Sequence, residues 1–356
     1  MSGPPLKIDI DENVTPSAVH TPIPVPVHWR KEIKAQLDHD VKLGVIEPVP
    51  WGEPTTWCSR MIPVAKDDGS PRRTIYLQAL NSASVRQTHH TPSPFHQAMS
   101  VPHNTVKSVY DAWNGYNSLA VRDEDRHYTT FITPWGRYRY CVAPQGHLVS
   151  GDGYTERYDI ITQSFPNYKR IVDDTCLYHE ELEDHILEVC RYLSLTASHE
   201  IIQNEEKFQF AQKELEFVGF VLSENGIRPS DSLIDSIINF DRPSNISNIR
   251  SWFGLVEQVS FSFCKTEVMA PFRHLLSGKN DFIWTQELSD AFVHAKTEIC
   301  KKIVEGVKTF EIGRETAVIT DWSKTGIGFV LCQKFCVCKQ NHIKCCKSGW
   351  RLFTLD

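Results

Sequence analysis

The chain has 356 residues, enough for two or three domains and at least one substantial core. Its 41% hydrophobic and 23% charged residues are ordinary for a soluble globular protein, and no apolar run approaches the roughly 20 residues that a membrane-spanning helix needs. A net charge of −6 argues against a uniformly basic nucleic-acid coat, and the N-terminal MSGPPLKIDIDEN carries neither the basic nor the apolar region of a secretory signal.

The first 25 residues are proline-rich and weakly patterned, and read as a flexible or extended lead-in. Trp29, Ile33, Leu37 and Val41 mark one stripe of a helix that Gly44 stops. Residues 57–66 and 73–77 read as two strands joined by KDDGSPR, whose Asp-Gly step signals a hairpin turn. Residues 60–107 hold six Lys or Arg against two acids, Asp67 and Asp68, so positive charge is concentrated locally. TPSPFHQAMS, from Thr91, gives a proline-guarded helix start. Strand and helix signals then alternate to about residue 222, with Leu182, Ile186, Val189 and Leu193 predicting one helix face. Residues 180–206 carry eight acids and one arginine, which reads as a solvated helix face.

After Gly226 the pattern becomes helical. Ser230 is placed to cap a helix bearing Ile234, Ile237 and Ile238, and Asn245 or Ser247 to cap one bearing Ile249, Trp252, Phe253 and Val256. Another helix is expected over 282–304, with Ala291, Phe292 and Ala295 on one face. TAVITDWSKTGIGFVLCQ then reads as strand, turn and strand, opening a new α/β unit near residue 310. Eleven cysteines is an odd count, and six are scattered singly through the first 300 residues, which fits reduced thiols in an intracellular chain. Five more, Cys332, Cys336, Cys338, Cys345 and Cys346, crowd the tail. Their CxC and CC spacings match zinc knuckles poorly, so structural thiols are expected and zinc is the alternative.

The most chemically suggestive segment is KRIVDDTCLYH. Apolar residues on both sides of Asp173 and Asp174 predict two short strands joined by an acidic turn. Asp111 ends another apolar stretch, SVYDAWNGY. Carboxylates at the ends of neighbouring strands can hold two Mg²⁺ ions about 3.5–4 Å apart, the arrangement polymerases use to join nucleotides. A lone Asp doublet is weak evidence, because aspartate favours turns for its own backbone hydrogen bonding. Its neighbours strengthen it: KDDGSPRR, LQALN, YDAWNGY and VAPQGHLVSGDGY follow one another at suitable gaps.

These motifs, with FITPWGRYRY, KFQFAQ, EFVGF and IRSWFGLV, resemble the reverse transcriptases of long-terminal-repeat retroelements, in particular the Ty3/gypsy-type polymerases of animals. The resemblance runs from LGVIEPV at 43–49 to TDWSKTGIGF at 320–329. It implies an α+β right-hand polymerase followed by a truncated ribonuclease H-like α/β unit. The expected layout is a lead-in at 1–25, fingers and palm at 26–222, thumb and connection helices at 223–309, and the ribonuclease H-like segment at 310–356. It implies Asp111, Asp173 and Asp174 as catalytic, metal-binding carboxylates for two Mg²⁺ ions, with Mn²⁺ as an alternative. Arg72 matches the arginine that grips the incoming triphosphate, with Lys66 as companion. Tyr116 matches the aromatic under the deoxyribose, and Gln145 the glutamine that contacts the incoming sugar and its base pair. Lys207 falls where the family often has a lysine near the nucleotide, and otherwise reads as a surface lysine. FVGFVL at 217–222 matches the hairpin that holds the primer end, with a plain core strand as the alternative. Trp252 is expected to pack rather than stack on bases. The implied partners are an RNA or DNA template with its primer and deoxynucleoside triphosphates, in cytoplasm or nucleus, with no membrane and no reading of oligomeric state.

The chain departs from the family pattern at three places. Ile171 stands where Tyr or Phe usually precedes the acidic pair, and Tyr76 where an aspartate is common. Asp321 matches the first metal-binding aspartate of a ribonuclease H domain, but no further Asp or Glu follows before Asp356, so ribonuclease H activity is not expected. Two expectations therefore stand: an RNA-directed DNA polymerase from part of a polyprotein, or an inactive retroelement remnant that at most binds nucleic acid.

Overall fold

A computed structural model describes the chain except residues 67, 114, 225, 261–267, 278–281, 304–306, 324–325, 337–348 and 355–356. It gives the backbone alone at 302, 309, 321, 323, 326–328, 330 and 351–354. In chain order the first elements are α1 (Arg30–Lys42), β1 (Ile46–Pro48), β2 (Ser59–Ala65), β3 (Pro71–Ile75), α2 (Gln78–Ala83), α3 (Pro94–Met99), β4 (Val106–Asp111), β5 (Phe131–Thr133) and β6 (Gly136–Tyr140). There follow α4 (Leu148–Thr162), β7 (Tyr168–Ile171), β8 (Asp174–His179), α5 (Leu182–Ser198), β9 (Gln209–Gln212), β10 (Leu215–Phe217), β11 (Phe220–Ser223) and β12 (Gly226–Pro229). The last are α6 (Asp231–Ile238), α7 (Ile246–Val259), α8 (Gln286–Ile303), β13 (Lys308–Thr309), β14 (Thr316–Ser323), β15 (Gly326–Lys334) and β16 (Trp350–Thr354). No helix among the described residues is long and apolar enough to cross a membrane.

The chain divides into two compact units. The first holds Met1–Thr91, Tyr110–Pro166 and Glu188–Lys207; the second holds Pro92–Val109, Asn167–Leu187 and Phe208–Asp356. In the first unit, five strands pair in the order β1-β6-β5-β2-β3. α1 packs Ile33 and Leu37, both fully buried, into the core behind this sheet with Trp57, Met61, Leu80 and Phe131. The N-terminal segment is extended and pinned rather than loose. Leu6 bridges Val121, Ala18 bridges Cys58, and the buried Ile8 donates its N–H to Asp125 at 2.9 Å.

The second unit contains the sheet β7-β8-β4-β9, the hairpin sheet β10-β11-β12, a helical core, and the sheet β13-β16-β15-β14. Ser230 and Asn245 cap α6 and α7, accepting the N–H groups of Leu233 and Asn248, so Asn245 rather than Ser247 starts the second helix. Trp252 is fully buried in the helical core against Phe240 and Phe292, a packing residue as expected. FVGFVL is a tight hairpin rather than one strand: Phe217 pairs with Phe220 across Val218 and Gly219, both at positive φ. At Gly226 a Cβ would stand 2.4 Å from the Val307 carbonyl, so this backbone crossing admits only glycine.

The sequence stripe on α5 is displaced. The buried face is His185, Val189, Tyr192 and Thr196, while Leu182, Ile186 and Leu193 are exposed. Hydrophobic counting misses this because a histidine with its ring nitrogens bonded, and a tyrosine with its hydroxyl bonded, are as good inside as leucine.

Candidate functional site

The Asp173–Asp174 segment forms the predicted turn. β7 and β8 are antiparallel, with Ile171 opposite Asp174, leaving Val172 and Asp173 as the loop. Val172 lies at φ 52, a left-handed conformation that a β-branched residue rarely adopts. The guanidinium of the buried Arg170 donates to the Val172 carbonyl at 2.5 Å and holds the bend from beneath. Asp173 and Asp174 are half-buried, and everything from Thr175 to His179 is buried.

The strand beside β8 is β4, which ends at Asp111. Its interior is polar yet satisfied. Lys107, fully buried, donates to the carbonyls of His103, Thr105 and Lys213 at 3.1, 2.8 and 3.4 Å. Ser108 accepts the Ala211 N–H at 3.0 Å and lies 2.7 Å from His185 Nε2, while His185 Nδ1 lies 3.0 Å from His179 Nδ1. Burial and the neighbouring His179 push His185 down to about 4, so the ring is neutral. A neutral ring donates from one nitrogen and accepts at the other, so Ser108 and His179 play opposite roles across His185. Burial pushes the Cys176 thiol up to about 12, against the opposing pull of Lys107, and keeps it an inert core group.

Asp111 belongs to the first unit by its packing. Its carbonyl accepts the Asn204 N–H at 2.8 Å, and its carboxylate Oδ2 lies 2.7 Å from Lys207 Nζ. Lys207 is a surface lysine, 62% exposed, and its ammonium makes an ion pair with Asp111 that the sequence reading did not include. Sequence gave no signal for this pair, whose members are 96 residues apart.

Arg72 and Arg73 are adjacent but face opposite ways, because they alternate along β3 opposite Val64 and Pro63. Arg73 is tied to Asp40 of α1, whereas Arg72 is exposed and forms no ion pair among the described residues. Lys66 is exposed at the start of the hairpin turn, where its N–H donates to the Ser70 carbonyl at 2.8 Å. Asp67, which bears on its alignment, lies outside the described residues. Tyr76 is 53% exposed just after β3, its hydroxyl bonded to Gln78 Oε1.

Tyr116 is half-buried, its ring edge-on to Tyr154 of α4 at 5.4 Å, and a Cβ added at Gly151 would lie 3.7 Å from its hydroxyl. Gln145 is exposed on a loop held by residues not singled out from sequence. Asn81, in LQALN, donates to the Gly146 carbonyl at 2.9 Å and accepts the Leu148 N–H at 3.0 Å. Gly146 takes the positive φ, 86°, that lets this loop turn onto α4. Next to it, Ser84 Oγ lies 3.0 Å from Nε2 of His147, which burial pushes down to about 4. Arg86 grips the buried Asp152 of α4 with two bonds of 2.7 and 3.1 Å. The shared signal in sequence is the recurrence of LQALN and PQG; the contact between them is a feature of the fold.

Asp321 lies in β14 opposite Gly328, and its side chain lies outside the described residues. Cys338, Cys345 and Cys346 are likewise outside them, while Cys332 is a buried thiol raised by burial. The described residues gather no group of three or more His, Cys, Asp and Glu side chains that could hold a metal ion. Asp111, Asp173 and Asp174 are divided between the units. Asp173 and Asp174, half-buried at one turn, and Asp111, half-buried at the end of β4, are each carboxylate oxygen donors of the kind that suits Mg²⁺.

A sequence profile described as reverse transcriptase (RNA-dependent DNA polymerase) matches residues 62–222. The Tf2-3 and Tf2-7 transposon polyproteins of Schizosaccharomyces pombe are each 23% identical over 93% of this chain, and the chain spans about a quarter of their length. Among solved structures, a foamy viral protease-reverse transcriptase in complex with double-stranded DNA superposes with a TM-score of 0.79 at 17% identity, covering 96% of this chain and 57% of that one. The foamy viral protein in complex with an RNA/DNA hybrid gives 0.77 at 17% identity, covering 91% and 43%. The fold is that of the foamy viral proteins, and the profile match over residues 62–222, together with the transposon polyproteins, supports a reverse transcriptase of a long-terminal-repeat retrotransposon.

Proposed function

We propose that the chain is an RNA-directed DNA polymerase of a retroelement, extending a primer on an RNA or DNA template with deoxynucleoside triphosphates. The observation that carries the reading is the strained, half-buried turn at Val172–Asp173–Asp174, which places two carboxylates where β7 meets β8. Asp111, Asp173 and Asp174 would supply the oxygen donors for two Mg²⁺ ions, or Mn²⁺, which when bound would provide Lewis-acid activation of the primer hydroxyl and neutralise charge at the α-phosphate. Arg72, exposed while Arg73 is tied to Asp40, offers a planar guanidinium to the triphosphate. Lys66 adds positive charge at the same hairpin. Tyr116, braced against Tyr154, supports the sugar and excludes a 2′-hydroxyl by its position. Gln145 meets the nascent base pair from a loop that Asn81 holds in place. Template and primer follow the kind of nucleic acid bound by the foamy viral structures.

Primer extension on an RNA template tests this directly. The wild-type chain should incorporate nucleotides, and Asp173→Asn should lower incorporation by at least about 100-fold, since loss of a metal-binding carboxylate exceeds the 10–100-fold typical of groups that merely support one. Folded protein that binds primer–template but adds no nucleotide would sink the activity and leave the inactive remnant. Ile171 and Tyr76, which depart from the family pattern, are the residues that favour that second reading.

A further inference from the structure

The backbone around Asp111 does more than end a strand. Ala112 bridges Gln203, and Trp113 donates to the Ile202 carbonyl at 2.9 Å, so residues 111–113 and 202–204 run as a short ladder. Asn204 then builds a turn. Its N–H donates to Asp111 O at 2.8 Å, its side-chain oxygen accepts the Glu206 N–H at 3.1 Å, and its carbonyl accepts the Lys207 N–H at 3.3 Å. The turn delivers Lys207 Nζ to Asp111 Oδ2 at 2.7 Å. This cation is delivered by main-chain geometry to a carboxylate 96 residues away, unlike the many surface pairs of this chain that lie three or four residues apart.

We propose that Lys207 is a built-in counter-cation of Asp111, holding the carboxylate oxygen that a divalent metal ion would take, so that metal binding displaces the lysine. The proposal rests on the reading of Asp111 as a metal-binding carboxylate. Both cations compete for the same lone pairs, but an ammonium stands near 2.7 Å while Mg²⁺ binds oxygen at about 2.0–2.1 Å. The lysine is 62% exposed, so its head can swing into water without disturbing the core, whereas Asp111 is only 17% exposed and stays where β4 puts it. Lys207 thereby keeps Asp111 neutralised while the metal is absent and sets the metal concentration at which the site fills. An exposed pair is worth little in water, so the competition is a modest one.

The test is Mn²⁺ binding to the full chain without nucleic acid, read from the electron paramagnetic resonance signal of the free ion. Lys207→Gln should bind Mn²⁺ about 3–10-fold more tightly than wild type, the range expected for removing an exposed ion pair and its residual repulsion. Lys207→Arg, which keeps the charge, should stay near wild type, and Asp111→Asn should weaken binding in every background. Unchanged or weaker binding by Lys207→Gln, with Asp111→Asn still impaired, overturns the competition and leaves the metal reading intact. Binding that ignores Asp111→Asn removes both. A cooperative thermal transition in each variant excludes unfolding as the cause.

Discussion

Two four-stranded sheets of the second unit each carry an aspartate of interest, and they are built differently. In β7-β8-β4-β9 the strands are four to six residues long, and the residues behind the carboxylates are buried. Lys107, Ser108 and His185 are inside and bonded. In β13-β16-β15-β14 the paired strands β14 and β15 run for eight and nine residues, while Val318, Ile319, Trp322 and Phe329 are exposed. The first sheet locks its strands with polar groups that have one set of partners. The second pairs its backbones but leaves large apolar side chains in solvent. A strand-end carboxylate becomes a candidate site when what lies behind it fixes its position, and Asp174 meets that condition.

The strongest way to break the comparison is to remove one pin. Ser108→Ala removes the hydroxyl that meets the half-buried Ala211 N–H and the buried His185 Nε2, which should destabilise the fold by about 2–3 kcal/mol. Val318→Ser on the other sheet, at a position 62% exposed, should cost less than about 0.5 kcal/mol. Chemical denaturation of the two variants checks the contrast, and equal effects would mean that the buried polar pins contribute nothing special.

The same pins show where sequence was readable and where it was not. Local chemistry was legible: the Asp-Gly hairpin, the Ser230 cap, the buried Trp252 and the acidic turn all follow from residue type and short spacing. Long-range pairing was not. Nothing near Asn81 announces that it holds the Gln145 loop, nor does NEEKF announce that its lysine reaches Asp111. The α5 stripe failed for a related reason, since His185 and Tyr192 become core residues only through partners elsewhere, Ser108 and Tyr158. Arg72 and Arg73 are equivalent in sequence, and only the strand register separates the exposed one from the anchored one.

Acid should weaken the fold through two buried histidines, one in each unit. Burial holds His185 and His147 down to about 4, below the ordinary value of about 6.5 that they regain on unfolding. Between those values the unfolded chain binds the extra protons. The stability these neutral rings contribute is therefore complete above about pH 6.5, is lost as pH falls toward 4, and changes no further below that. A loss of about 1–3 kcal/mol across this window is expected, seen as a falling thermal midpoint. In His185→Gln the fall should be smaller, because one of the two groups no longer titrates. An undiminished fall would place the acid sensitivity elsewhere.

The smallest effect concerns the turn itself. Val172 sits at φ 52 although a branched Cβ disfavours that conformation by about 1–2 kcal/mol. Asparagine visits it more readily and, unlike glycine, adds little freedom to the unfolded chain. Val172→Asn should therefore raise stability by about 0.5–1 kcal/mol, unless contacts of the half-buried valine outweigh the strain. Denaturation midpoints decide the sign. If the strain serves to aim Asp173, the stabilised variant should incorporate nucleotides more slowly than wild type in the same primer-extension assay. A variant that gains stability and keeps full activity would show that the left-handed valine is tolerated by the turn without being used by it.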